Sequence, residues 1–324
     1  MRVLVVGGAG YIGSVTVDQL LDAGHGVTVL DSLTAGHGEA VNGEAELVTG
    51  DVRDEEALGR LIASHSFDSV VYYGGYIQAG ESVLNPGRYF ANNVGGCIVL
   101  LNAMVAYGIP GFVFSSSAAV YGEPDEVPIK EDAGVRPVNP YGEAKLIVER
   151  MLPWYERQGL RSISLRYFNA AGATETRGED HRPETHLIPI VLQAALGQRE
   201  SVSLYGTDYE TPDGTCIRDY VHVSDLAAAH VLALERLDER SGAYNLGNGN
   251  GFSNREVIEA ARRVTGKSIA VNEEARRPGD PAALVASNEK AKRELGWQPA
   301  VTDIEAIIES AWRWHQAHPG GYSN

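Results

Sequence analysis

Val3-Leu-Val-Val-Gly-Gly-Ala-Gly-Tyr-Ile-Gly-Ser14 is the stretch from which the rest of the chain can be read. Val3–Val6 is a short apolar run, suited to a strand buried on both faces. Gly7, Gly10 and Gly13 follow it directly. Ile12, Val15, Leu20 and Leu21 then recur with helical spacing, and Gly24 is placed to stop that helix. Glycine permits a tight strand-to-helix turn and lets backbone N–H groups approach a pyrophosphate at the helix N-terminus. Val27–Leu30 predicts a second strand. Asp31 ends it, 31 − 13 = 18 residues after the last glycine. A carboxylate there suits the adenine-ribose hydroxyls and repels a 2′-phosphate. No Lys or Arg follows before Arg53, so NAD is expected rather than NADP. Asp51, read as the end of a third strand, is placed to reach the adenine or to cap a helix.

The alternation continues outward. Strands are expected at Leu47-Val48, Val70–Tyr73, Phe112–Phe114 and Ser162–Arg166. Helices are expected over 54–64, 86–106 and 140–157. Strands alternating with helices imply a Rossmann-type α/β fold, a doubly wound parallel sheet. After Phe168 the rhythm breaks. Helical patterns recur at 188–196, 223–235, 254–265, 288–295 and 303–315, strands become scarce, and 208–219 reads as loop around the turn Thr211-Pro-Asp-Gly214. This half is expected to form a smaller C-terminal lobe over the carboxyl edge of the sheet.

The chain has 324 residues and a net charge of −16. An acidic surface argues against nucleic acid and anionic membranes, so an anionic ligand would need a local cationic pocket. Cys97 and Cys216 are the only cysteines, too few for a disulfide framework or metal-ligand spacing. They are expected as small buried apolar residues, and no metal site is expected. The apolar run after Met1 is too short for a leader or a membrane span, which predicts a cytoplasmic protein.

Tyr141 and Lys145 stand four residues apart, on one helix face, behind Asn139 and Pro140 as N-cap and first helical residue. A free tyrosine has a pKa near ~10 and is no base at neutral pH. A nearby ammonium, a nicotinamide cation and a helix N-terminus all favour the phenolate. Ser117, at the end of Phe112-Val-Phe-Ser-Ser-Ser117, is the candidate to hydrogen-bond the reacting hydroxyl.

These motifs resemble those of the UDP-glucose (UDP-galactose) 4-epimerases, within the extended short-chain dehydrogenase/reductase superfamily. The similarity spans nearly the whole chain. It includes Gly7–Ser14, Ser115–Gly122, Asn139–Gly142 with Lys145, Leu165–Gly172, Thr211–His222, Tyr244–Gly247, Arg276–Asp280 and Glu294–Trp297. The resemblance implies an isomerase that inverts C4 of a UDP-sugar through a transient 4-keto sugar, with Tyr141 as acid/base, Lys145 as its electrostatic partner and Ser117 beside them. It implies an NAD site of Gly7, Gly10, Tyr11, Ile12, Gly13, Asp31, Asp51, Val52, Asn92, Tyr141, Lys145 and Tyr167. The implied UDP-sugar site comprises Ser117, Tyr141, Asn169, His186, Leu187, Tyr205, Arg218, Arg277 and Asp280. Paired arginines suit a pyrophosphate. Residues 1–169, with returning segments around 218–247, would bind NAD, and residues 170–324 mainly the UDP-sugar. A homodimer through the helices starting near Pro86 and Pro140 is also implied.

The chain departs from the family pattern in Tyr72–Gln78. Ile77 replaces a lysine near cofactor and sugar, and Tyr76 and Gln78 are unusual. Leu284 stands at a gate where a tyrosine restricts 2-acetamido sugars, and Ala119 replaces a threonine. UDP-glucuronate and UDP-N-acetylglucosamine are therefore alternative substrates. Ala118-Ala119 occupies the place of the Asp-Glu pair that dehydratases use. A non-catalytic dinucleotide sensor would lack the Tyr–Lys pair or the arginines.

Overall fold

The computed structural model describes residues 1–277 and 279–323. Its main sheet begins with β1 (Arg2–Val6), α1 (Tyr11–Asp22), β2 (Gly26–Asp31), β3 (Glu46–Thr49), α2 (Glu55–Ser64) and β4 (Ser69–Tyr72). There follow α3 (Ala79–Leu84), α4 (Pro86–Tyr89), a π-helical stretch over Phe90–Gly95, α5 (Gly96–Tyr107), β5 (Gly111–Ser117), α6 (Pro140–Glu156) and β6 (Arg161–Tyr167). With β10 (Gly242–Leu246), the strands lie in the order β10-β6-β5-β4-β1-β2-β3, every neighbour parallel. Val3 and Val5 pack with α1 and with α8 (Val223–Arg236), whereas Leu4 and Val6 pack with α2 and α5 on the other face. Both faces are thus covered, which is why these strands read as continuous apolar runs.

The remaining elements are β7 (Asn169–Ala171), α7 (Leu187–Ala195), β8 (Val202–Tyr205), β9 (Ile217–His222), β11 (Gly251–Ser253), α9 (Asn254–Thr265), β12 (Val271–Glu274), β13 (Ala283–Leu284), α10 (Glu289–Leu295) and α11 (Ile304–Ala317). β9 is the spine of a small sheet, antiparallel to β11 and parallel to β7 and β13; β8 and β12 form a separate parallel pair. A core of its own joins α7, α9 and α11 through Val191, Val257, Ile307 and Ile308. Asp219 on β9 accepts hydrogen bonds from the backbone N–H of Asn248, Gly249 and Ala286, tying two further segments to that strand.

Several expectations need correction. Strands after Phe168 are numerous but short, two to six residues, too few positions for a period-2 pattern to show. The loop expected over 208–219 becomes strand at Ile217, so Arg218 lies on β9. β3 ends at Thr49, leaving Asp51 in the following turn; the α2 cap is Asp54, which accepts from the Ala57 N–H. Pro86–Tyr107 is one helix, as expected, but with a π stretch inside it. It is long and apolar enough to cross a membrane by composition, with a mean hydropathy of 1.4. Its buried Tyr89, Cys97, Leu100, Leu101 and Met104 show instead a helix packed on the sheet. Both cysteines are free and buried.

Candidate active site

The strand ends and glycine turn of the main sheet open into a cavity of about 560 Å³, within the usual size of small-molecule sites. Its floor is set by glycine. Gly7 has φ +81°, and a Cβ on Gly13 would fall 2.3 Å from the Gly7 carbonyl oxygen. The turn therefore closes only with glycine at both positions. Asp31 is 8 % exposed and accepts from the N–H of Ala9 at 2.9 Å and of Leu33 at 2.9 Å. Burial raises its pKa, partly offset by those N–H groups and by His37. Asp51 is held by Arg53, whose Nε lies 3.0 Å away, and this pairing lowers its pKa. Gly7, Gly10, Tyr11, Ile12, Gly13, Asp31, Asp51, Val52, Asn92 and Tyr167 all line the cavity. A glycine turn at a helix N-terminus with a buried carboxylate ending the next strand fits an adenine dinucleotide.

Tyr141, Lys145 and Ser117 line the same cavity. Asn139 caps α6 through its side-chain oxygen, which accepts from the Gly142 N–H at 2.8 Å; Pro140 is the first helical residue. Tyr141 thus sits in the first turn, with its backbone N–H donating to Ser82 Oγ at 3.2 Å. Burial raises the Tyr141 pKa, and a hydrogen bond with Ser117 pulls it down. Lys145 is 5 % exposed. Its Nζ donates to the Ser115 carbonyl at 2.7 Å and lies 5.9 Å from the Tyr141 ring centre. Burial lowers its pKa to about 8. Ser117 also fills the plain role of a cap, accepting from the Ala119 N–H at 3.1 Å.

Asn169 and His186 complete this wall, and Asn169 Nδ2 donates to the Asp219 carbonyl at 2.9 Å. Leu187, Tyr205, Arg218, Arg277 and Asp280 are not among the cavity's lining residues. Four of them form two pairs: Arg218 is ion-paired with Asp280, and the Arg277 guanidinium lies 3.9 Å from the Tyr205 ring centre. Leu284, opposite Arg218 in the β9–β13 register, packs against the apolar cluster that contains Ala118 and Phe168. Tyr76, Ile77 and Gln78 line the cavity, and the Asn93 amide clamps the Tyr76 backbone through N–H and C=O contacts of 2.9 Å each. Asn92 and Asn93 both lie in the π stretch, whose i→i+5 pitch is frequent at functional sites.

Around His186, already expected in the UDP-sugar site, the structure gathers three residues that the sequence reading missed. Glu179, His181, Glu184 and His186 form one cluster, of which Glu179, His181 and His186 line the cavity. Burial opposes charge on Glu179 and His186, but attraction within the cluster prevails: His186 and His181 hold the Glu179 carboxyl below its ordinary pKa, and Glu179 and Glu184 hold His186 above its own. The signal was the spacing Glu-x-His-x-x-Glu-x-His in a loop, which matches no helical ligand pattern.

Comparison with known proteins agrees with this geometry. The profile of the NAD dependent epimerase/dehydratase family matches residues 3–247. A UDP-glucose 4-epimerase of Halalkalibacterium halodurans is 52 % identical, covering 100 % of this chain and 98 % of its own. A crystal structure of a UDP-glucose 4-epimerase superposes with a TM-score of 0.97 at 49 % identity, covering both chains completely. Another, from Bifidobacterium longum in complex with NAD+ and UDP, gives 0.95 at 38 % identity, covering 99 % of this chain and 100 % of that one. The chain belongs to the NAD dependent epimerase/dehydratase family.

Proposed function

We propose that the chain is an NAD-dependent UDP-hexose 4-epimerase acting on UDP-glucose and UDP-galactose. The observation that carries this reading is the convergence of Tyr141, Lys145 and Ser117 on a cavity that also contains the glycine turn and Asp31. When bound, NAD accepts a hydride from C4 of the sugar and returns it to the opposite face of the 4-keto sugar. The protein's own task is proton transfer and grip. Tyr141 takes the proton of the 4-hydroxyl and gives it back, a role that a phenol near the helix N-terminus can fill once positive charge favours its phenolate. Ser117 holds the same hydroxyl. Lys145, kept close by Ser115, donates to the nicotinamide ribose and adds positive charge near the phenol.

In this reading the lobe holds UDP. Arg218 and Arg277 neutralise the pyrophosphate, with Asp280 positioning Arg218 and Tyr205 supporting Arg277. Asn169, His186 and Leu187 face phosphates and uracil. Residues 1–169 with 218–247 serve NAD, and most of 170–324 serves the nucleotide sugar. The protein works as a cytoplasmic homodimer. Leu284, against the cluster that contains Ala118 and Phe168, leaves an apolar side chain rather than a phenol at the sugar end.

The test is a product assay with UDP-glucose, UDP-glucuronate and UDP-N-acetylglucosamine supplied separately, without added oxidant or reductant. Conversion of UDP-glucose to its 4-epimer is expected. Conversion of only one of the other two reassigns the sugar, and no conversion of any, with NAD added, overturns the epimerase reading.

A further inference from the structure

Glu179, His181, Glu184 and His186 lie on one loop between β7 and α7, and each turns a ligand-type atom toward the same point. These four atoms all lie within 4.8 Å of one another. His181 Nδ1 is 3.0 Å from Glu179 Oε1 and 3.8 Å from Glu184 Oε2. His186 Nδ1 is 2.7 Å from Glu179 Oε1 and 3.1 Å from Glu184 Oε1. We propose that these two imidazoles and two carboxylates form a binding site for a divalent transition-metal ion of the zinc class.

The separations suit such an ion. Tetrahedral zinc holds nitrogen and oxygen ligands at about 2.0–2.2 Å, so neighbouring ligand atoms stand about 3.3–3.6 Å apart. The four contacts, 2.7–3.8 Å, straddle that edge and no pair of ligand atoms exceeds 4.8 Å, so side-chain shifts on the order of an ångström would seat the ion. The donor set narrows its identity: imidazole with carboxylate suits zinc and its transition-metal neighbours, whereas calcium and magnesium take oxygen ligands. Charge gives a second reason. Glu179 and Glu184 are 6 % and 8 % exposed, and two adjacent buried carboxylates require positive charge between them. Without an ion a protonated His186 provides part of it; one dication with neutral imidazoles would take the place of that proton.

The surroundings hold the ligands in place, as outer-shell groups do in metal sites. Glu184 Oε1 accepts from the N–H of Thr185 at 2.6 Å and of His186 at 2.7 Å. The ring of Tyr11, from the glycine turn, meets His181 edge-on at 6.3 Å. Four protein ligands make a closed shell, so the ion is structural and takes no part in the chemistry. It clips the loop across from the glycine turn to the start of α7. It also uses Nδ1 of His186, leaving Nε2 of that cavity-lining ring without a partner among the described residues.

The test uses full-length protein stripped with a chelator and dialysed against micromolar Zn²⁺, or Co²⁺ as a spectroscopic stand-in. One ion per chain is expected by elemental analysis, with a higher melting temperature in Zn²⁺. Co²⁺ should give the intense visible bands of four-coordination. His181→Ala and Glu179→Gln should each weaken binding at least ~10-fold and abolish those bands. Circular dichroism shows whether the variants fold, and the Co²⁺ spectrum of the unaltered chain stands without them. No bound ion, binding unchanged in folded His181→Ala, or a weak six-coordinate Co²⁺ spectrum would each overturn the site.

Discussion

In the proposed mechanism Tyr141 and Lys145 carry the chemistry, and burying Lys145 costs stability. Lys145 is buried with its ammonium on the Ser115 carbonyl, and no carboxylate pairs with it among the described residues. Its pKa falls from 10.5 to about 8, which corresponds to about 3 kcal/mol as an upper bound. The sign follows from the charged form being disfavoured in the folded state. The penalty is complete below about pH 8 and disappears as the pH rises from there to 10.5. Lys145→Met in the NAD-free protein should therefore melt higher at pH 7, by about 1–3 kcal/mol once the lost hydrogen bonds are counted. That advantage should shrink above pH 8, which thermal melts across the range would show. The same variant loses the charge that favours the phenolate, so the acidic limb of its pH–rate profile should move to higher pH. Tyr141→Phe should lose at least ~10²-fold in turnover with its fold intact. Near-normal turnover removes Tyr141 as acid/base. Leu284→Tyr should lower kcat/KM for UDP-N-acetylglucosamine relative to UDP-glucose; an unchanged ratio would show that Leu284 is not at the gate.

At the scale of elements, the site depends on how α6 is seated. Glu149 on α6 receives Arg166 of β6 through two contacts, Nε at 2.9 Å and Nη2 at 2.6 Å, and also the Ser116 hydroxyl of β5 at 2.5 Å. Both side chains of the ion pair are under 10 % exposed. Breaking one partner leaves a buried unpaired charge, so Glu149→Ala should destabilise the fold by ~3–5 kcal/mol, read by denaturant unfolding. A loss below 1 kcal/mol would mean that water replaces the carboxylate. The sequence carried α6 well, because Asn139, Pro140 and the Tyr–Lys spacing each mark its first turns. It carried α9 equally well, where Ser253 and Glu256 form a capping box. It did not carry β13, whose two residues exist as strand only because β9 lies beside them. Nor did it show the cluster at Glu179–His186, since a loop brings spaced ligands together only through tertiary packing. The cavity wall was legible where a strand end or helix start fixes a residue, as at Asp31, Ser117 and Tyr141. Arg218 and Arg277 fell outside that group: their partners, Asp280 and Tyr205, come from distant segments.

At the scale of the molecule, one surface is left apolar. The helix Pro86–Tyr107 has a mean hydropathy of 1.4, yet only 39 % of that window is buried within the chain. Its neighbour α6 exposes Trp154 at 63 %, and Tyr107 at the end of α5 is 51 % exposed. Val99 and Ala103 on α5 and Met151 on α6 are only partly covered. Two adjacent helices with an apolar outer face have the form of a two-fold helical interface, in which each copy covers the other's pair. A net charge of −16 disfavours association over most of the surface, so this face is where apolar burial can prevail. Static light scattering at micromolar concentration should give about twice 34.8 kDa. Ala103→Glu places a charge in that seam and should return the mass to that of one chain, with the secondary structure unchanged by circular dichroism. A mass near 34.8 kDa for the unaltered protein would sink the dimer. A dimer that survives Ala103→Glu would move the interface to another face.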